Sequence, residues 1–241
     1  MKKKLILIFL TIALAATAVF ALVACKDETT PSINDYVSYD QYMLYSAHDS
    51  DLTVSITGIK REEVFIADGK VGQVSDYVRI TMRPVKAEML TKEYSYTIVG
   101  EIGSLSGNLG KDGFGVSFSA DLHELGEIGK ISAVKITYGE TVKELEVVDK
   151  CDGIIDSKTA LDKAYEVFKA DIEPALQDKS FSREVYVKLV NDGKNPDSDY
   201  YWFVSFISSK EDYWAVLVDT ADGSIISSRK SIAENKSELN S

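Results

Sequence analysis

The sequence predicts a mainly β chain in two parts: an N-terminal antiparallel β-sandwich over residues 36–150, then an α+β unit over 152–232 in which one helix covers an antiparallel sheet. Three observations predict it. From Leu52 to Val148 the chain falls into seven or eight short alternating segments separated by turn residues. Between Ser157 and Glu173 the apolar residues recur at helical spacing. After that helix the alternation returns, and the chain closes on "YWAVLVDTADGSIIS", residues 213–227, which reads as two strands around Asp222-Gly223.

The first element precedes both parts. The chain opens "MKKKLILIFLTIALAATAVFALVAC", with Lys2, Lys3 and Lys4 as a basic start and an apolar run from Leu5 to Ala24. That run is long enough to cross a bilayer, so a retained anchor is one reading. Its ending favours another. Leu22-Val23-Ala24-Cys25 resembles the lipobox of bacterial lipoprotein signals, in which the Cys thiol takes diacylglycerol and the peptide is cut just before it. The resemblance implies a signal peptide over 1–24, lipid on Cys25, a tether over 25–35 and a place on the extracytoplasmic face of the cell membrane. Cleavage removes three lysines and leaves 24 basic against 38 acidic residues, a formal net charge of −14. So acidic a chain repels phosphate backbones, so nucleic acid is not an expected partner and membrane attachment must come from lipid.

With Cys25 lipidated, Cys151 has no intrachain partner, and the apolar core must hold the fold without a disulfide. Tyr36, Tyr39, Tyr42 and Tyr45 are spaced three apart, which gives a clean stripe on neither helix nor strand. They read either as an exposed aromatic platform or as rings packed along the β-sandwich. The strand segments are then "LTVSITGI", "EVFIADGK", "DYVRITMRP", "EYSYTIVGEI", "GFGVSFSADL", "ISAVKITYG" and "VKELEVV", with "SLSGNLGKDG" as a loop. Such a set predicts a sandwich that is immunoglobulin-like in architecture only, since no Cys or Trp landmark lies within it.

In "DSKTALDKAYEVFKADIEP", Asp156 or Ser157 is the N-cap, Leu161, Ala164, Tyr165, Phe168 and Ile172 share a face, and Pro174 predicts an end or bend at Glu173. "REVYVKLV", "YYWFVSFI" and the closing hairpin form the sheet beneath. Trp214, Val216 and Val218 should meet the helix. Tyr201, Phe203, Tyr213 and Leu217 then fall on surface turned away from it, more apolar than solvent requires, and are the predicted partner-docking face. At the Asp222-Gly223 turn, Gly223 is expected in the left-handed region, with Asp219 accepting from loop amides.

Three stretches of this last part carry a family resemblance: "Ala-Leu-Asp-Lys-Ala" at 160–164, "Tyr-Trp-Phe-Val-Ser-Phe" at 201–206 and "Val-Leu-Val-Asp-Thr-Ala-Asp-Gly-Ser-Ile-Ile" at 216–226. Residues 158–229 resemble a PepSY domain. The resemblance implies a small non-catalytic domain of cell-envelope proteins and of peptidase pro-regions, with a proposed role in holding peptidases inactive. No peptidase follows this copy, so inhibition would act in trans on an envelope partner.

Catalytic patterns are scarce. "HELGE" at 123–127 lacks the second His of a zinc-protease helix, and no nucleophile stands beside a recognisable base. Asp192, Asn195, Asp197 and Asp199 lack the Gly and Glu of a calcium loop and read as a solvated turn. No cofactor, metal or enzymatic activity is expected. The functional expectation is a lipid-anchored binding or regulatory protein. The alternative is a structural or adhesion-type envelope lipoprotein that binds a glycan or protein through the sandwich, and the last nine residues, 233–241, are expected to be disordered.

Overall fold

The computed structural model describes residues 31–123, 128–192 and 198–231, and the described residues from Ser32 onward form one compact unit. Cys25, the signal peptide, Asn195, Asp197 and the 233–241 tail lie outside the described residues. The architecture is mainly β with one α-helix among the described residues. After a 3-10 turn at Ile33–Tyr36 come β1 (Val37–His48), β2 (Leu52–Glu62) and β3 (Val74–Pro84). A second 3-10 turn, Ala87–Thr91, leads to β4 (Tyr94–Gly100), β5 (Ser104–Lys111), β6 (Phe118–Leu122), β7 (Ile131–Tyr138), β8 (Thr141–Glu146) and β9 (Val148–Asp149). The chain continues through α1 (Ser157–Gln177), β10 (Glu184–Val190), β11 (Tyr201–Ile207), β12 (Tyr213–Asp219) and β13 (Ile225–Ser231).

The strands join in the order β13-β12-β11-β10-β1-β2-β3-β6-β5-β4-β7-β8, with β9 on β1. All pairings are antiparallel except β1 with β10, where Val37, Tyr39 and Asp40 oppose Val185, Tyr186 and Val187. The predicted division at 150–152 falls in the link between β9 and α1, and the sheet passes across it through this parallel pair.

Two cores sit on this sheet. In the first, Leu52, Val54, Ile56, Ile80 and Met82 of β2 and β3 pack with Ile98, Val134 and Ile136 of β4 and β7. Strand β5 links the two groups: Ser104–Leu109 pairs with β4, while Gly110 and Lys111 pair with β6, so one continuous strand order carries both. Lys143 Nζ on β8 reaches Asp49, 2.6 Å away, and Asp51 in the β1–β2 turn, and Lys86 reaches Asp51 at 2.9 Å. Hydrogen bonds from these two lysines pull the Asp51 carboxyl down to about 2.

The second core lies under α1. Asp156 caps the helix, its Oδ1 accepting from the Thr159 N–H at 2.7 Å, and Ala160, Leu161, Ala164, Phe168, Ile172 and Leu176 are buried. They meet Val185 and Val187, then Trp202, Val204 and Phe206, then Trp214, Val216 and Val218. The Trp202 indole N–H donates to the Ile155 carbonyl at 2.9 Å, which fixes the helix entry on β11. Ile33 and Leu44 also belong to this core, so β1 and the turn before it serve both clusters.

The structure departs from the sequence reading at four elements. The tyrosine-rich segment is a 12-residue strand, β1, and register irregularities near Ser38 and Tyr42 break the alternation that would have announced it. "EVFIADGK" is a loop, because β2 runs on to Glu62 and Val64 then takes φ 56. "SLSGNLGKDG" is mostly strand β5; the Tyr96 ring lies where a side chain at Gly107 would stand, its Oη 2.6 Å from an added Cβ. The helix passes Pro174 and reaches Gln177, and its irregular residue is Phe168 (φ −112, ψ 16), whose ring packs on Phe206 and Trp214.

Because β1 belongs to both cores, damage to the first should be felt in the second. Trp202 and Trp214 are the chain's two tryptophans and both lie under α1. Ile56→Ala, a fully buried first-core change, should cost about 2–5 kcal/mol. The loss should appear equally in tryptophan fluorescence and in far-ultraviolet circular dichroism during urea unfolding. A fluorescence midpoint that stays at the wild-type value would show that the parallel pair does not couple the cores.

Candidate functional site

Strand alternation sends Trp202, Val204 and Phe206 to the helix, so Tyr201, Phe203, Ser205 and Ile207 point to the opposite face. Residues directly opposite across a ladder share a face, and the register therefore extends this surface strand by strand. One row runs Arg229, Ala215, Ser205, Tyr186, Tyr39, Arg61 and Ser75, from β13 across to β3. Beside it runs Ser227, Leu217, Phe203 and Lys188.

The four predicted docking residues are all on this face and all half-buried. Phe203 and Leu217 are direct partners, whereas Tyr201 pairs with Asp219 and Tyr213 with Ile207 at the two ends of the β11–β12 ladder. Leu217 and Tyr213 are separated by about 13 Å along β12. The residues thus form a spread surface and not a pocket.

Sequence reasoning missed the part of the face contributed by β1, β2 and the 63–73 loop. Phe65 reaches back over it, with ring centroids 4.9 Å from Tyr186 and 6.1 Å from Tyr39, and the Arg61 guanidinium lies 4.1 Å from the Phe65 ring. The loop is held by Glu184, whose side chain is fully buried. Its Oε1 accepts from the Asp68 and Gly69 N–H groups at 2.8 and 2.9 Å, and its Oε2 accepts from the Tyr186 hydroxyl at 3.3 Å. Gly69 has φ 83, and a Cβ there would stand 2.0 Å from the Ser182 carbonyl oxygen, so no other residue fits the loop's crossing. Tyr39 was visible in the tyrosine run, but nothing local marked Glu184 as an anchor 116 residues from Asp68.

Cations decorate this face. Lys188 lies over Phe203 at 5.5 Å, Arg229 over Tyr213 at 5.8 Å, and Arg79 forms a two-bond pair with Asp121. Among the described residues no carboxylate pairs with Lys188 or Arg229. The Ser205 hydroxyl, 1% exposed in the middle of the row, has no partner among them either.

The turn residues lie at the far end of the β12–β13 hairpin. Gly223 takes φ 75 and its N–H donates to the Asp219 carbonyl at 3.1 Å. Asp219 Oδ1 accepts from the Ala221 N–H and Asp222 Oδ1 from the Ser224 N–H, both at 2.8 Å. The Ser224 amide holds the Asp222 carboxyl below its ordinary range. Tyr201 and Asp219 also line a concavity of about 440 Å³ with Lys150 and Tyr200.

On the helix side, a groove of about 330 Å³ opens beside the first turn of α1, lined by Asp40, Lys60, Ser157 and Lys158 over apolar Val37 and Val187. Burial raises the Asp40 carboxyl, with Ser157 and Lys60 opposing. The groove thus gathers both signs of charge around the helix entry, with the Ser157 hydroxyl and the Asp40 carboxylate in contact.

No group of three potential metal-ligating side chains occurs among the described residues, and no helix among them is long and apolar enough to cross a membrane. Comparison with family models, with characterised proteins and with solved structures finds no match to this chain.

Tyr186 offers a titration handle on the face. Burial, followed by the Glu184 carboxylate, pushes its phenol up to about 12. A pKa raised by folding favours the protonated fold, so this contribution is intact below about 10 and is lost as pH rises from about 10 to about 12. Tyr186→Phe should therefore lose less stability than the wild type over that window, as measured by urea unfolding. Parallel losses in the two proteins would place the Tyr186 phenol in ordinary solvent.

Proposed function

We propose that this chain is a lipid-anchored, extracytoplasmic binding protein that docks an envelope protein on the sheet face turned away from α1. The reading is non-catalytic. In it, Cys25 carries diacylglycerol, residues 36–150 form the immunoglobulin-like support, and residues 152–232 act as a PepSY-like unit. An envelope peptidase held inactive in trans is the regulatory form this takes.

One observation carries the proposal. The face presents Tyr201, Phe203, Tyr213 and Leu217 half-exposed, and the same surface continues through Tyr186, Tyr39 and Phe65. Half-exposed rings on a braced sheet supply large contact area with little side-chain entropy to lose. The first core packs against other strands, so these rings are not its cover.

Two measurements test this. Cys25→Ala should abolish incorporation of radiolabelled fatty acid and leave the signal uncleaved, because the thiol is the acylated group; a labelled variant would remove the anchor from the proposal. Phe203→Ser with Leu217→Ser should keep the unfolding midpoint near the wild-type value while in-cell crosslinking to the envelope partner falls at least tenfold. A large loss of stability with no crosslinked partner in the wild type would make the face structural, and undiminished crosslinking would move the site elsewhere.

A further inference from the structure

We infer that the partner enters as an added β-strand on β13, and that the added segment is acidic on the side facing the aromatic sheet surface. This deepens the docking reading and rests on it.

Among the described residues, strand β13 is one end of the strand order and pairs with β12 alone. Every residue from Ile225 to Lys230 is exposed, including Ile225 at 41% and Ile226 at 47%. In an antiparallel pair, half of the edge strand's backbone N–H and C=O groups point away from the neighbour, and they template a further strand. The edge is also preformed. Lys230 pairs with Asp171 of α1 at 2.6 Å and lies 4.9 Å from the Trp214 ring, and the Ser231 hydroxyl donates to the Glu211 carbonyl at 3.2 Å.

Charge selects the occupant. Within a chain of net charge −11, β13 holds Arg229 and Lys230 and no acid. Lys230 points to the helix side and is already paired, whereas Arg229 opposes Ala215 and therefore stands on the aromatic face, where Lys188 lies two strands beyond Leu217. A strand laid on β13 places every second side chain on that face, level with Ser227, Arg229 and Ser231. Carboxylates at those positions meet Arg229 directly. The opposite end of the sheet attracts the same segment less: on β8 Lys143 is held by Asp49 and Asp51, Glu144 is paired with Lys135, and Glu146 adds an acid. A second copy of this chain is disfavoured on β13 for the converse reason, since it would bring another Arg229 and Lys230 to a cationic edge.

The test uses the mature lipoprotein in detergent and the blocked peptide Glu-Val-Glu-Val-Glu-Val-Glu, with Lys in place of Glu as control, followed by fluorescence anisotropy. The acidic peptide should bind and the basic one should not. Arg229→Glu, and the milder Arg229→Gln, should weaken binding at least tenfold and at least threefold. N-methylation of alternate peptide residues should abolish binding in one of the two possible sets and spare it in the other, the signature of pairing along one edge. Equal tolerance of both methylated sets, or indifference to Arg229, overturns the strand-addition inference. So does failure of the peptide while partner crosslinking still depends on Phe203 and Leu217, which leaves docking standing. Peptide binding that meets all these criteria while crosslinking ignores Phe203 and Leu217 sinks the docking reading alone. A concentration-dependent dimer dissolved by Arg229→Glu would identify the occupant as a second copy and overturn the inference.

Discussion

The parallel contact between β1 and β10 is the constraint on which the rest of the fold depends. It spans three residue pairs, yet it joins the first strand of the chain to one that lies beyond α1, in one hydrogen-bonded sheet. Strand β1 can serve because it has a hydrogen-bonded neighbour on each side and side chains for each core: Tyr45 and Ala47 for the first, Leu44 for the second. Closing so long a loop is slow and entropically costly, and the surrounding antiparallel ladders must offset that cost. The same contact makes the candidate face possible. Without it Tyr186 would lie at the border of a small sheet, and the row from Arg229 to Ser75 would stop there.

Legibility followed sequence distance. The closing hairpin was readable because its alternation, its Asp-Gly turn and the opposed faces of Trp214 and Leu217 are all local. So was the helix, whose buried positions repeat at helical spacing under an Asp156 cap. Strand β1 was hidden because irregularities at Ser38 and Tyr42 reset the side-chain period within a few residues. Strand β5 was hidden because Gly107 and Gly110 look like loop residues until the Tyr96 ring is in place against Gly107. Half of the candidate face was legible for the same reason. Phe203 and Leu217 follow from one hairpin, whereas Phe65 reaches Tyr186 only through a loop pinned by Glu184, and no local pattern encodes that anchor.

The electrostatics of the face depend on what has been removed from it. Glu184 is acidic and adjacent, but its carboxylate is fully buried and spent on two amides and a phenol. Asp121 is neutralised by Arg79. Lys188, Arg229 and Arg61 then stand against the rings of Phe203, Tyr213 and Phe65, with Asp219 opposite Tyr201 as the acid at the end of the ladder, so a chain acidic in composition sets cations against its exposed rings. A net charge describes solubility and long-range repulsion, while recognition is set by the few charges left unspent on one face.

The position of β1 also has a mechanical consequence. Under the proposed N-terminal lipid anchor, a pull would first meet the Ile33–Tyr36 turn, whose Ile33 is packed in the second core, and then β1, a strand bonded on both sides. Such a load acts along the strand, so the bonds to β2 and β10 share it in shear and are not opened one after another. A cargo held at the β13 edge would pass its force through β12, β11 and β10 into that same strand. Between such a cargo and β1 the path would run through paired strands, with α1 beside it as a brace.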